Sequence, residues 1–257
     1  MKKTVLVARG INDPIDTGML LNVTKHLDPA EYDIVELHYP AQYGPVSGFF
    51  GRSFTLSMRE LHTLALKPLE RAEPRSVFLL GYSAGAYGLG DLVAQLQAHR
   101  NPLLDRILGV GLLADPKQPR TMLPDGSIKY GIAGARLIDV DQFPVWWASD
   151  PRDPIPLLEL NSPLRPIPDL TAEMSFRNVD TWRRDVRRRL LARQVQQFAV
   201  NLADLPAVLA DFRAAADALA RYLGPDHTSY AARHYPGTDV TYCEWLAQQI
   251  VLEGARR

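Results

Sequence analysis

Ser76-Val77-Phe78-Leu79-Leu80 followed by Gly81-Tyr82-Ser83-Ala84-Gly85 is the stretch on which the fold of this 257-residue chain turns. The first five residues are apolar and partly β-branched, which suits a buried parallel strand. Residues 86–97 can wind as a helix, so the pentapeptide marks a strand-to-helix turn. A serine with glycine two positions away on each side fits a sharp turn that needs small neighbours, with Oγ projecting above the sheet. That is the geometry an acyl-transfer nucleophile requires. The competing reading is a plain glycine-rich connection in a doubly wound domain.

Outward from this turn the chain alternates strands and helices, the pattern of a parallel α/β sheet. Residues 4–8 read as a first central strand that runs into the turn-rich Arg9-Gly10-Ile11-Asn12-Asp13-Pro14. A second strand is expected at 32–37, a loop at 38–54 and a helix at 56–70. Further strands are expected at 107–113, ending in Ala114-Asp115-Pro116, and at 145–148, ending in Ser149-Asp150-Pro151-Arg152-Asp153-Pro154. Residues 123–135 read as irregular. The prolines of 154–168 predict an extended loop, and 170–223 reads as helical almost throughout, with a break at Leu205-Pro206. Within it, Arg183, Arg184, Arg187, Arg188, Arg189 and Arg193 stand beside Val186, Leu190, Leu191 and Val195, which predicts an amphipathic helix with a solvated basic face. A loop at 224–227 and a helix at 240–252 close the chain.

Composition bounds the function. With 46% apolar residues the chain can bury a sizeable core. Its 29 basic and 29 acidic residues give no net charge, so neither nucleic acid nor an anionic membrane is an expected partner. The single cysteine, Cys243, excludes an internal disulfide framework and is expected to pack as a small apolar residue. The apolar run 5–8 stops at Arg9, too short for a signal peptide, and no window is long enough to span a bilayer. A soluble protein made in a reducing cytoplasm is the expectation.

A serine hydroxyl needs a base within hydrogen-bond reach and a carboxylate to hold that base in the useful tautomer. In α/β-hydrolases these partners follow the serine in the order acid, then histidine. Of six histidines, His26, His38 and His62 precede Ser83, and His99 is too close to fold back. His227, in a Gly-Pro-Asp-His loop, is preferred, with His234 the alternative. Asp153 and Asp150 both follow the strand ending at Ala148; Asp153 is preferred and Asp150 competes. Asp115 is explained as a turn. The oxyanion would be held by the amides of Ala84 and Ile11, with Gly10 giving the first loop room to approach. No metal or organic cofactor is implied.

Taken together, the chain resembles the lysin B family of mycobacteriophage esterases, relatives of cutinase that cleave mycolic acids from arabinogalactan. The resemblance rests on Val7-Ala8-Arg9-Gly10, on the elbow with its tyrosine, on Asp115-Pro116, on Arg152-Asp153-Pro154, which favours Asp153 as the acid, and on Asp226-His227-Thr228-Ser229-Tyr230 with Tyr235-Pro236 and the closing helix. It implies a cutinase-like α/β-hydrolase: a three-layer sandwich around a parallel sheet, with a core over 1–168, an inserted helical subdomain over 169–223, and the histidine loop and last helix over 224–257. It further implies a monomeric serine esterase made in the host cytoplasm, acting on mycolyl or lipid esters of the bacterial cell wall during lysis. Pro154 to Pro168 and Trp146-Trp147 are candidates for an acyl trough, although the tryptophans also suit a core. The pattern departs from the family where Ile11-Asn12 replace Thr-Gly and where Arg152 replaces glycine before the acid, which would set a cation beside Asp153. A cutinase-like lipase or polyester hydrolase, and a non-catalytic wall-binding protein on the same scaffold, are the alternative functions.

Overall fold

The structure, a computed structural model, describes residues 2–200 and 203–256; Met1, Asn201, Leu202 and Arg257 lie outside the described residues, among them two positions of the stretch expected to be helical. In chain order the first half carries β1 (Lys3–Ala8), α1 (Leu21–Thr24), β2 (Tyr32–Glu36), α2 (Phe54–Arg71), β3 (Val77–Tyr82), α3 (Ala84–Ala98) and β4 (Ile107–Leu113). Four short strands follow: β5 (Thr121–Met122), β6 (Ile128–Tyr130), β7 (Val145–Ala148) and β8 (Leu158–Glu159). Four helices follow, α4 (Pro166–Thr171), α5 (Val179–Leu191), α6 (Leu205–Leu223) and α7 (Tyr242–Ala255), joined by turns and irregular segments.

Five strands form one parallel sheet in the order β2-β1-β3-β4-β7. Strands buried on both faces must be apolar throughout, which is why β3 and β4 read as continuous hydrophobic runs. Alternate side chains serve opposite cores. Leu6, Leu79, Val110 and Leu112 pack under α2 and α3 with Leu61, Leu89 and Val93. Val5, Phe78, Leu80 and Leu113 pack under α1 and α7 with Val23, Leu246 and Ile250. The result is the three-layer α/β sandwich expected, and Cys243 lies buried and free in the second core. Successive strands leave β1 in opposite directions across the sheet, so the loops after β1 and β3 open a crevice at their carboxyl ends, where ligands of such sheets bind.

The structure corrects several expectations. Part of the region read as irregular pairs as a small antiparallel sheet, β5-β6-β8, and β8 and the start of α4 fall inside the proline-rich segment read as a loop. Its prolines are accommodated because Pro166 sits in a first helical turn, where no intrahelical amide is lost. For the same reason Leu205-Pro206 begins α6 rather than breaking a helix: Asp204 caps it by accepting from Ala207 N at 3.1 Å. Among the described residues the helical stretch is interrupted instead at 172–178, 192–200 and 203–204. The arginine-rich helix stops at Leu191, and no residue of α5 is buried; Leu190 and Leu191 are 57% and 76% exposed. Five of the six arginines are solvated, but Arg189 turns inward, pairing with Asp185 at 2.7 Å and Asp169 at 3.7 Å. No helix of the described residues is long and apolar enough to cross a membrane.

Candidate active site

Ser83 sits at the end of β3 with φ 53° and ψ −114°, a conformation few L-residues adopt and one that costs on the order of 1–3 kcal/mol. Its backbone is held from both sides, its N–H donating to Leu113 O and its carbonyl accepting from Tyr87 N, each at 2.9 Å. A serine before a helix usually caps it. Here the side chain makes no cap, which leaves Oγ free above the sheet. Gly85 is needed beside it because a Cβ there would run into the carbonyls of Ala8 and Arg9.

His227 Nε2 lies 2.9 Å from Ser83 Oγ, and Nδ1 lies 2.7 Å from Asp153 Oδ2. Asp153 is fully buried; its Oδ2 also accepts from Tyr230 OH at 2.7 Å and its Oδ1 from Ile155 N at 3.0 Å. A carboxylate so placed can only accept, so Nδ1 carries the proton toward it and Nε2 presents a lone pair to the serine. Such a relay can take the serine proton and hold the resulting imidazolium against the buried carboxylate. Tyr230, 1% exposed, has its hydroxyl pushed well above the ordinary phenol range, first by burial and then by the Asp153 charge, so it remains a donor. Tyr82 is raised for the same two reasons; its OH donates to His227 O at 2.7 Å and its ring stacks on the imidazole at 5.4 Å.

The structure thus brings Ser83, Asp153 and His227 into one hydrogen-bonded chain. It places the competitors elsewhere. Asp150, 4% exposed, pairs with Arg233 at 2.7 Å, and His234 is exposed with its backbone bridged to Thr241. Asp115 does make a turn, accepting from Lys117 N at 2.9 Å, but it is also fully buried against Arg136 and within 3.3 Å of Trp147 Nε1. Arg152 does not set a cation on the acid. Its side chain is exposed, its φ is not positive, and its amide donates to Asp150 Oδ1.

Among the described residues, neither Ala84 N nor Ile11 N donates to a protein acceptor, and both residues border the same cavity as Ser83. Ala84 opens α3, so its amide also carries the positive end of the helix dipole. Gly10 lets the first loop reach the elbow: a Cβ there would lie 2.9 Å from the Tyr82 ring and 3.4 Å from Ser83 Cβ. That loop is pinned by a reciprocal pair, Tyr39 OH donating to Arg9 O at 2.6 Å and Arg9 Nη2 to Tyr39 O at 2.7 Å. No cluster of the described residues could hold a metal ion.

The cavity above Ser83 measures about 450 Å³ and is walled mainly by apolar groups, among them Phe54, Ile155, Leu164, Ile167, Met174 and Leu219. Pro154 and Pro168 line it. Trp146 and Trp147 do not: the first stacks on Phe78 in the core and the second serves Asp115. Val46, 62% exposed, stands at the solvent side of the cavity wall, and the exposed rings of Phe49, Phe50 and Phe176 form a surface cluster in which Phe49 meets the other two.

The sequence assigned no individual role to Arg233, and Tyr82, Asp226 and Tyr230 entered only as parts of the quoted motifs. Their only signal was proximity to His227 and Ser83 in the chain, which does not reveal that Tyr230 and Arg233 reach back to the acid loop.

No protein-family model matches the chain, and no curated protein is similar to it in sequence. Solved structures are. Lysin B from mycobacteriophage D29 is 18% identical over 98% of this chain and 99% of its own, with a TM-score of 0.53. The catalytic core of acetyl xylan esterase from Trichoderma reesei is 18% identical over 58% of this chain and 84% of its own, with a TM-score of 0.43. A cutinase-like protein from Cryptococcus sp. is 19% identical, with a TM-score of 0.35; the match spans 47% of this chain and only 57% of that protein. From end to end, this chain shares the fold of lysin B, with a five-stranded parallel sheet between layers of helices.

Proposed function

We propose that the chain is a serine esterase that cleaves esters of long-chain acids. The observation that carries this is the unbroken contact from Asp153 through His227 to Ser83 Oγ beside two unpartnered amides. His227 Nε2 takes the proton from Oγ as Oγ attacks the ester carbonyl carbon. The amides of Ala84 and Ile11 hold the oxyanion. The tetrahedral intermediate collapses, the carbon–oxygen bond to the alcohol breaks, and that alcohol leaves with the proton from Nε2. Water, deprotonated by His227, then attacks the acyl-serine; the acid departs and Oγ regains its proton.

The apolar cavity and its apolar rim support an acyl chain of some length. Residues 169–223 serve in this reading as an inserted helical subdomain that roofs the chain, since Asp169, Arg189, Leu219 and Tyr222 border the cavity. End-to-end likeness to a phage lysin supports mycolyl esters of wall arabinogalactan as the substrate, hydrolysed at the envelope during host lysis.

The test pairs a fluorophosphonate probe with ester turnover. Wild-type protein should be labelled at Ser83 and hydrolyse p-nitrophenyl esters, and Ser83→Ala should lose at least about a thousandfold. Unchanged turnover in Ser83→Ala ends the proposal, and an unlabelled, inactive wild type leaves a non-catalytic scaffold. Release of free mycolic acid from isolated mycolyl-arabinogalactan separates the wall esterase from a lipase or polyester hydrolase.

A further inference from the structure

Arg233 touches neither Ser83 nor His227, yet it grips both segments that carry the serine's partners. Nη1 donates to Asp150 Oδ2 at 2.7 Å, and Nη2 donates to Asp226 Oδ1. Asp226 immediately precedes His227. Asp150 opens the loop that delivers Asp153: its carbonyl accepts from Asp153 N at 3.0 Å, and its other carboxylate oxygen accepts from Arg152 N at 2.9 Å. The two segments are 74 positions apart in the chain at their point of contact, with α4, α5 and α6 between them. No local propensity can set their spacing.

The neighbouring contacts make the histidine segment a compact unit. Arg233 N and Ala232 N both donate to Ser229 O, at 2.8 and 3.0 Å, so a turn that begins two residues after His227 ends on Arg233. The unit docks on the acid loop through Arg233 and through Tyr230, whose OH donates to Asp153 Oδ2 and accepts from Asp150 N at 3.3 Å. The side chains of Asp150 and Asp226 are only 6% and 13% exposed. Without a cation between them they would repel and draw the two loops apart. A planar guanidinium can bond two carboxylates at fixed separation, which an ammonium on a flexible stem cannot. The Arg233 guanidinium is itself held above its ordinary range, first by the hydrogen bond to Asp150 and then by that to Asp226.

We propose that Arg233 is a positioning residue: by clamping Asp150 to Asp226 it sets the Nδ1-to-carboxylate contact between His227 and Asp153, and through it the aim of Nε2 at Ser83. The inference rests on the esterase reading above. Its role is geometric rather than merely charge-balancing.

Three variants separate those roles: Arg233→Met, Arg233→Lys, and Arg233→Met combined with Asp150→Asn and Asp226→Asn. The triple variant removes all three charges, while the side-chain amide oxygen introduced at position 150 can still accept from Arg152 N. Each is assayed for kcat and KM on p-nitrophenyl butyrate, for the rate of fluorophosphonate labelling, and for thermal unfolding. Arg233→Met should lose about ten- to a hundredfold in kcat and labelling rate with KM within about twofold, since a misaimed base slows chemistry more than binding. Lysine should recover only part. The triple variant should regain the wild-type unfolding midpoint and remain slow. The clamp is overturned if Arg233→Met works at the wild-type rate, or if the triple variant regains rate together with stability. Should Arg233→Met fail to fold, the lysine and triple variants decide alone. A wild type that neither labels nor turns over removes the esterase reading with the clamp, whereas an active wild type with an equally active Arg233→Met removes the clamp only.

Discussion

The hydroxyl of Tyr82 donates to the backbone carbonyl of His227 at 2.7 Å while its ring stacks on the imidazole. The residue that precedes Ser83 in the turn therefore holds the loop that carries His227. This couples β3 to a segment 145 positions later.

Replacing Tyr82 by phenylalanine keeps the stack and removes the bond. Stability should fall by about 1 kcal/mol, the usual net worth of a hydrogen bond, and kcat should fall several-fold because the histidine loop gains freedom. Denaturant unfolding and ester turnover check both; an unaltered kcat would show that the stack alone holds the loop.

Chain-length preference should follow the cavity. Each added methylene that enters an apolar trough gains up to about 0.8 kcal/mol, about fourfold in kcat/KM. A p-nitrophenyl ester series should therefore rise in kcat/KM from acetate until the cavity is filled. Leu219→Asp, at a half-exposed position on the cavity wall, should flatten that rise while sparing the acetate. An equal loss on all lengths would mean that acyl chains do not lie there.

Arg165 is the largest fully buried side chain of the described residues. Its guanidinium stacks on Tyr130 at 3.3 Å and donates to the carbonyls of Gly131, Leu158 and Glu159 at 2.5, 2.6 and 2.9 Å, tying β6, β8 and α4 together behind the cavity. Burial lowers its pKa to about 10. Arg165→Lys strands several of these acceptors and should cost about 2–4 kcal/mol in denaturant unfolding. A loss below about 0.5 kcal/mol would contradict this account of the wall.

Alkaline pH should unfold the protein cooperatively. Burial raises the hydroxyls of Tyr39, Tyr82, Tyr230 and Tyr242 above their ordinary value near 10. Above that pH the folded chain keeps protons that the unfolded chain releases, so stability declines as pH rises. It is fully present below about pH 10 and lost as pH climbs through the folded values. Absorbance at about 295 nm, followed with circular dichroism, should show these tyrosines ionising together with loss of structure. Gradual ionisation near pH 10 in a folded protein would refute it.

The strands and helices of the sandwich were readable locally because a strand buried on both faces must be apolar throughout and a helix over it must be so on one side. Residues 107–113 show this, being buried throughout; 145–148 form an edge strand that is only partly buried but keeps an apolar run, and both have the expected boundaries. The region 169–223 was harder. Its apolar residues have helical spacing, but Leu190 and Leu191 remain in water, and spacing alone does not say whether a face finds a partner. The two-residue strands β5 and β8 depend on their shared neighbour β6 and have no local signature.

For the site, the sequence by itself determined the sharp turn at Ser83, since only small residues at 81 and 85 let a strand enter a helix so sharply, and it ordered the candidate aspartates before the candidate histidines. It left Asp150 against Asp153 and His227 against His234 as alternatives. Tertiary structure alone decided which pair meets Ser83, because that outcome depends on how two loops joined by three helices dock on the sheet. The docking groups, Tyr82, Tyr230 and Arg233, act across 77 or more positions of chain, where the pattern of neighbouring residues carries no information about distance.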